Sequence, residues 1–288
     1  MTSYDKTLKL ANDLQIPVLG LGVWKIADED VEAAVLAAID AGYRHIDTAQ
    51  AYRNEKGVGR AIKATDVDRS ELYITTKLSG DIKEYETAVA AIDKSLSDLD
   101  LDYIDLMLIH SPQPWVNFRE EGNYDQGNLE AWRALEEAHQ AGKIKAIGVS
   151  NFEKSDIENL INNGTVKPMV NQILAHISNT PFDIIEYCES EGIIVEAYSP
   201  NGHGEILNKA EIVAMAEKYQ VSPAQLAIRY CIELGFVVLP KSGNPDHIVE
   251  NGQVDFEISA EDMETLKRIE RVTDYESNEL VFARPRQQ

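Results

Sequence analysis

The sequence predicts a closed (β/α)8 barrel, preceded by a β-hairpin that caps one end, in a single domain over residues 1–288. Three observations predict it. Short apolar runs recur at 18–23, 44–46, 72–76, 103–109, 144–149, 169–174, 193–197 and 236–239. Most are separated by a stretch with the spacing of an amphipathic helix, the alternation expected of strands joined by helices. Polar residues suited to chemistry stand just after the runs, where a barrel presents its loops. A chain of 288 residues has room for two domains, but single barrels of about 250 residues are common. Periodicity alone also admits a doubly wound sheet.

Taken in order, Lys6 to Ile16 has Asn12-Asp13 at its centre and reads as a hairpin placed to cap the bottom of the barrel. In the first helix, Val31, Ala34, Val35, Ala38 and Ile39 share one face; Asp28, Glu29, Asp30 and Glu32 lead it, and Gly42 follows it. The second strand delivers Asp47. The third, Leu72 to Thr76, is closed by Lys77, and a helical stripe of Val89, Ile92, Leu96 and Leu99 follows. His110 closes the fourth strand, Ile104 to Ile109. Ser150 and Asn151 follow the fifth, where they could equally cap a helix beginning near Glu153. The sixth carries Gln172; Tyr198 and Ser199 follow the seventh, and Lys241 and Ser242 the eighth. Gly20-Leu21-Gly22 and Gly57-Val58-Gly59 each lack the third glycine of a dinucleotide fingerprint, and Gly57 falls within a helix.

Composition narrows the function classes. Lys and Arg number 27 against 49 Asp and Glu, a formal charge of −22, which argues against a nucleic-acid partner. An anionic ligand would need a few local cations working against that global field. No run approaches the ~18 apolar residues of a membrane span, and Met1 to Lys6 lack a long apolar core. Cys188 and Cys231 lie in helix-like runs without metal-ligand spacing and read as buried thiols of a reducing cytoplasm.

The stretch from Gly42 to Glu55 is the most informative. It places Asp47 and Tyr52 five residues apart, just after a strand. Tyrosine is a rare acid, because its pKa near 10 must be favoured downward by a neighbouring cation before it gives up a proton. Lys77 and His110 end the next two strands. Four such residues on consecutive strand ends converge only where the strands close around one axis.

Three motifs carry a resemblance. Gly42-Tyr43-Arg44-His45-Ile46-Asp47-Thr48-Ala49 with Tyr52 and Asn54-Glu55, Gly142-Lys143-Ile144-Lys145-Ala146-Ile147-Gly148-Val149-Ser150-Asn151-Phe152, and Leu239-Pro240-Lys241-Ser242-Gly243-Asn244, in this order, resemble the aldo-keto reductase superfamily across essentially the whole chain. Tyr198-Ser199-Pro200 followed by Gly202-His203-Gly204-Glu205-Ile206-Leu207 is similar to short-loop microbial members of the 2,5-diketo-gluconate reductase type. The resemblance implies hydride transfer from a reduced nicotinamide to small aldehydes or ketones, keto acids and keto sugars included. Tyr52 would supply the proton, Lys77 would lower its pKa, Asp47 would fix Lys77, and His110 would aim the carbonyl oxygen.

On the cofactor side it implies Gly22, Trp24 and Asp47; Ser150, Asn151 and Gln172 for the carboxamide; Tyr198 stacked on the ring; and Ser199 and Asn201 near the pyrophosphate. Lys241, Ser242, Gly243, His247, Glu250 and Asn251 would form the adenosine end. Trp24, Tyr52, His110 and Trp115 would line the substrate pocket, with no metal. His247 stands where the family commonly has an arginine, and Asn201 where relatives usually have a leucine. An imidazole, ordinarily uncharged at neutral pH, holds a phosphate less well than a guanidinium. The expected cofactor is therefore NADP(H), with measurable use of NAD(H), in a cytoplasmic monomer. Two rivals are weighed. One is a non-enzymatic nicotinamide-binding redox sensor of the same fold. The other is a metal-dependent barrel hydrolase using His45, Asp47, Lys77, His110 and His176, which needs an acid after strand eight and leaves Tyr52 without a role.

Overall fold

The computed structural model describes residues 2–118, 120 and 122–272; Met1, Arg119, Glu121 and 273–288, the last included in the expected domain, lie outside the described residues. A hairpin of β1 (Thr7–Lys9) and β2 (Gln15–Pro17) opens the chain. Eight parallel strands follow: β3 (Gly20–Gly22), β4 (His45–Asp47), β5 (Tyr73–Leu78), β6 (Ile104–Ile109), β7 (Ile144–Ser150), β8 (Val170–Leu174), β9 (Ile194–Tyr198) and β10 (Val237–Leu239). The ring closes through Leu19 to Val238 and Gly22 to Lys241, so the doubly wound alternative does not hold. The apolar runs located every strand to within two residues. One difference bears on the site: β5 extends to Leu78, so Lys77 lies inside the strand rather than closing it.

The helical shell is α1 (Asp28–Ala41), α2 (Glu55–Ala64), α3 (Tyr85–Leu99), α4 (Asp125–Gln140), α5 (Lys154–Asn163), α6 (Phe182–Glu191), α7 (Ala210–Tyr219), α8 (Pro223–Glu233), α9 (Pro245–Gly252) and α10 (Ala260–Lys267). In α1 the five expected apolar residues are the buried ones, and Gly42 caps its end in the left-handed region at φ 111°. In α3 the buried face is Ala88, Ile92, Ser95 and Leu99, with Val89 and Leu96 partly covered at its border. Cys188 on α6 and Cys231 on α8 are buried free thiols, as expected.

Strand alternation sorts side chains into two cores. On β6, Met107 and Ile109 face the helices while Leu106 and Leu108 face the barrel axis. Leu10 and Ile16 of the hairpin join the axial cluster, and Asn12 Nδ2 donates to Lys145 O at 2.9 Å, so the hairpin caps the N-terminal end. The interior toward the opposite end is polar. His45, Asp47, Thr75, Lys77, Gln172 and Glu196 are all nearly or fully buried inside the ring.

The glycines at 57 and 59 serve close packing. A Cβ at Gly57 would stand 2.4 Å from Asp28 O on α1, and one at Gly59 would stand 2.4 Å from Leu99 O on α3. Helix propensity alone favours alanine over glycine by about 1 kcal/mol. The clash is with backbone, which cannot rotate away, so overpacking should win. Gly59→Ala is expected to lower stability by about 1–3 kcal/mol in urea unfolding. A more stable variant would show that α2 and α3 separate at little cost.

Candidate active site

β4 ends at Asp47, and the chain turns through a short 3-10 segment, Gln50–Tyr52, before Arg53 reverses it at φ 59°. That reversal lays Tyr52 over the end of the barrel. Lys77 Nζ, fully buried, donates to Asp47 Oδ1 at 2.5 Å, to Thr48 O at 2.9 Å and to Tyr52 OH at 3.4 Å. The Tyr52 ring meets His110 edge-on at 5.6 Å, and His110 meets Trp115 in the same way at 5.2 Å. The four residues expected from consecutive strand ends are therefore brought together.

Their electrostatics add burial to the expected effect of Lys77. Burial works against the Lys77 charge, but Asp47 and the nearby Tyr52 and Glu196 outweigh it, so the ammonium is held above its ordinary range. Burial also pushes the Tyr52 phenol up, and Lys77 pulls it back only in part. Lys77 acts downward as the sequence reading has it, but the net direction is upward, because loss of solvent, with the Asp47 charge, costs the phenolate more than one cation returns. Tyr52 thus keeps its proton at neutral pH. Burial, helped by Lys77, holds His110 well below the usual histidine value, so its ring is neutral. His110 Nδ1 is buried with no hydrogen-bond partner among the described residues, which leaves Nε2 as the better position for the ring proton.

A cavity of about 260 Å³ opens over this group, a little under the ~300–1,000 Å³ common for ligand sites. Gly22, Trp24, Asp47, Tyr52, His110, Trp115, Ser150, Asn151, Gln172, Tyr198, Ser199 and Lys241 all line it, together with Ala51 and Leu239. Asn151 sits at φ 62° and Ser199 at φ 51°, a left-handed backbone that is costly outside glycine and that gathers at functional sites. Asn151 Nδ2 donates to His110 O at 3.1 Å and to Ser150 Oγ at 2.9 Å, while Tyr198 OH donates to Asn151 Oδ1 at 2.7 Å. Neither Ser150 nor Asn151 caps α5: Glu153 and Asp156 form a capping box there, which leaves the pair to the cavity. Gln172 Nε2 donates to Asp47 Oδ2 and to Glu196 Oε2, each at 2.9 Å.

The remaining expected residues lie off the cavity wall. Asn201 precedes the short turn Gly202–Gly204. Ser242 is buried and accepts from Asn244 N at 3.0 Å, Gly243 is exposed beside it, and exposed His247, half-buried Glu250 and buried Asn251 sit along α9. Lys25 was missed by the sequence reading. It stands in the left-handed region at φ 56°, its Nζ lies 4.7 Å from the centroid of the Trp24 ring, and its charge adds to burial in holding Lys241 below its ordinary value. Its sequence signal was its place directly after Trp24. Glu196, His45 and Thr75 beneath the site were also missed as a group; His45 Nε2 lies 2.9 Å from Thr75 Oγ1. Among the described residues no three His, Cys, Asp or Glu side chains converge as metal ligands would.

Known proteins resemble this chain in sequence and fold. The aldo/keto reductase family model matches residues 18–271. A glyoxal reductase of Bacillus subtilis is 42% identical over 272 residues, covering 94% of this chain and 95% of that protein. An aldehyde reductase of Saccharomyces cerevisiae is 42% identical over 287 residues, covering 92% and 91%. Among solved structures, an aldo-keto reductase from a Medee basin deep-sea metagenome superposes with a TM-score of 0.85 at 39% identity, covering 91% of this chain and 94% of that one. An aldo/keto reductase from Brucella melitensis gives 0.85 and 39%, covering 91% and 98%.

The buried ion pair makes a test of its own. Lys77→Met leaves the nearly buried Asp47 without its cation and should cost about 3–5 kcal/mol of folding stability. Lys77→Met combined with Asp47→Leu should recover most of that loss, since removing both charges also removes both desolvation penalties. Chemical unfolding of the two variants decides it, and additive losses would mean that the pair is not coupled.

Proposed function

The chain belongs to the aldo/keto reductase family, and from its site we infer that it reduces small aldehydes and ketones with NADP(H), with measurable use of NAD(H). The observation that carries this reading is the Tyr52 phenol within 3.4 Å of the buried Lys77 amine, on the floor of a cavity walled by aromatic rings. The donor set fits a nicotinamide cofactor. Amide and hydroxyl side chains of Ser150, Asn151 and Gln172 suit a carboxamide, the Tyr198 ring suits a flat heterocycle, and Ser199 borders the same cavity. Lys25 and Lys241 are close enough for one to depress the other, and an anion between them would relieve that repulsion in a chain of net charge −22. Held in this cavity by Ser150, Asn151, Gln172 and Tyr198, a reduced nicotinamide would supply the hydride.

The protein's own part is positioning and proton supply. Tyr52 OH and His110 Nε2–H both donate to the carbonyl oxygen, where negative charge develops. Tyr52 then gives up its proton to that oxygen, and Lys77, held in place by Asp47, stabilises the phenolate left behind. Trp24 and Trp115 wall the pocket, which favours small compounds. The similarity to a glyoxal reductase and an aldehyde reductase supports aldehydes as the first substrates to test, with keto acids and keto sugars beside them. Two buried thiols with no disulfide among the described residues accord with a reducing, cytoplasmic setting.

Tyr52→Phe keeps the ring and removes only the proton donor. It should lower aldehyde-dependent oxidation of reduced nicotinamide by ~10²–10⁴-fold while leaving cofactor affinity near that of the wild type. Turnover close to wild type would overturn the assignment of Tyr52.

Cofactor preference turns on α9. Without the fixed cation that the family resemblance leads one to expect at position 247, the margin of NADPH over NADH should be modest. His247→Arg should widen the ratio of the two dissociation constants by roughly tenfold, the worth of one charge-assisted contact. An unchanged ratio would place residue 247 away from the 2′-phosphate.

A further inference from the structure

Gln172 and Glu196 are direct neighbours across β8 and β9, and both lie inside the ring. The two hydrogens on Gln172 Nε2 are committed, one to Asp47 Oδ2 and one to Glu196 Oε2. Asp47 decides which end of the amide points inward. Paired with Lys77, it can only accept, so an amide oxygen turned toward it would be repelled. Asp47 alone would still leave the second N–H without an acceptor in a closed interior, and that N–H would gain by turning toward the cavity. Glu196 removes this alternative. Gln172 also lines the cavity, and its carbonyl oxygen is the one polar atom of its amide left to present there.

We propose that Glu196 is a positioning residue: by taking the second Gln172 N–H, it makes Gln172 a pure acceptor toward the nicotinamide, selecting for a carboxamide N–H donor on the ring. This rests on the cofactor reading above. The surroundings of Glu196 suit the role. Burial, followed by the Asp47 charge, pushes its carboxyl up to about 8, so near neutral pH it is largely the uncharged acid. Its Oε2 accepts from Gln172, while Oε1, 3.9 Å from His45 Nε2, makes no hydrogen bond among the described residues. His45 is neutral there, pushed down to about 3 by burial. An uncharged acid fills the acceptor position without competing with Asp47 for Lys77.

The test compares cofactors rather than turnover. Dissociation constants of NADPH and of its 3-acetylpyridine analogue, which carries an acetyl group in place of the carboxamide and so has no amide N–H, are measured by fluorescence titration. Wild type, Glu196→Leu and Glu196→Gln are used, with thermal melting to show that each is folded. Glu196→Leu should weaken NADPH by roughly tenfold, about the effect of one mis-set hydrogen bond, and leave the analogue within about threefold of wild type. Glu196→Gln keeps an acceptor oxygen and should bind both cofactors nearly as wild type does. Equal losses for NADPH and the analogue in Glu196→Leu, or a Glu196→Gln variant as impaired as Glu196→Leu, would overturn the positioning role while leaving the cofactor reading intact. Wild-type protein that binds no nicotinamide at all would overturn both.

Discussion

The top of the barrel depends on one buried ion pair, Lys77 with Asp47. Neighbouring strands set it up: Asp47 stands level with Thr75 in the ladder between β4 and β5, two residues before Lys77, so both side chains enter the same interior. An exposed pair of this kind contributes little, and a buried one scarcely repays the loss of water around two charges. Its use is to keep a cation where none would otherwise stay. Thr48 O accepts a second N–H from the ammonium and Gln172 donates to the other Asp47 oxygen, so each charge is satisfied from more than one side. The phenol of Tyr52 sits against this arrangement, its OH 3.4 Å from Lys77 Nζ.

Most of the architecture was legible because it is local. Each strand is a short apolar run, and α1 and Gly42 follow from spacing and capping alone. Asp47, Tyr52, Lys77 and His110 were legible for a related reason: a barrel gathers whatever its strand ends carry, so neighbouring strands imply neighbouring side chains. Residues whose importance lies across the ring were not legible. Glu196 reads as one polar residue in an apolar strand until β9 is seen to bring it beside Gln172 and toward His45. Lys25 reads as a solvated lysine until its backbone conformation and its effect on Lys241 are known. The upward shift of Tyr52 was out of reach as well, since sequence shows the cation next door but not how much solvent the phenol loses.

The same division explains how so acidic a chain can take an anionic cofactor. A surplus of 22 negative charges repels phosphate at long range, yet most of it sits on the solvated surface, where salt screens it within about 10 Å. At the cavity the balance is local, and Lys25, Lys241 and Lys77 all lie at or just beneath the C-terminal ends of barrel strands. The neutral state of His110 matters here too. Burial, helped by the Lys77 charge, keeps the imidazole neutral beside the ammonium.

One cation and two carboxyl groups share this interior, and geometry allots the cation to one of them. Lys77 Nζ touches Asp47, whereas Glu196 meets only the amide of Gln172 and, at longer range, the His45 ring. Burial pushes the Glu196 carboxyl up to about 8, so near neutral pH it is largely the uncharged acid. Asp47 anchors the ammonium beneath the phenol. Glu196 fills a hydrogen-bonding position on Gln172 without adding a negative charge beside it. Gln172 bridges the two and transmits their arrangement to the cavity wall, so the barrel interior takes part in shaping the site rather than merely supporting it.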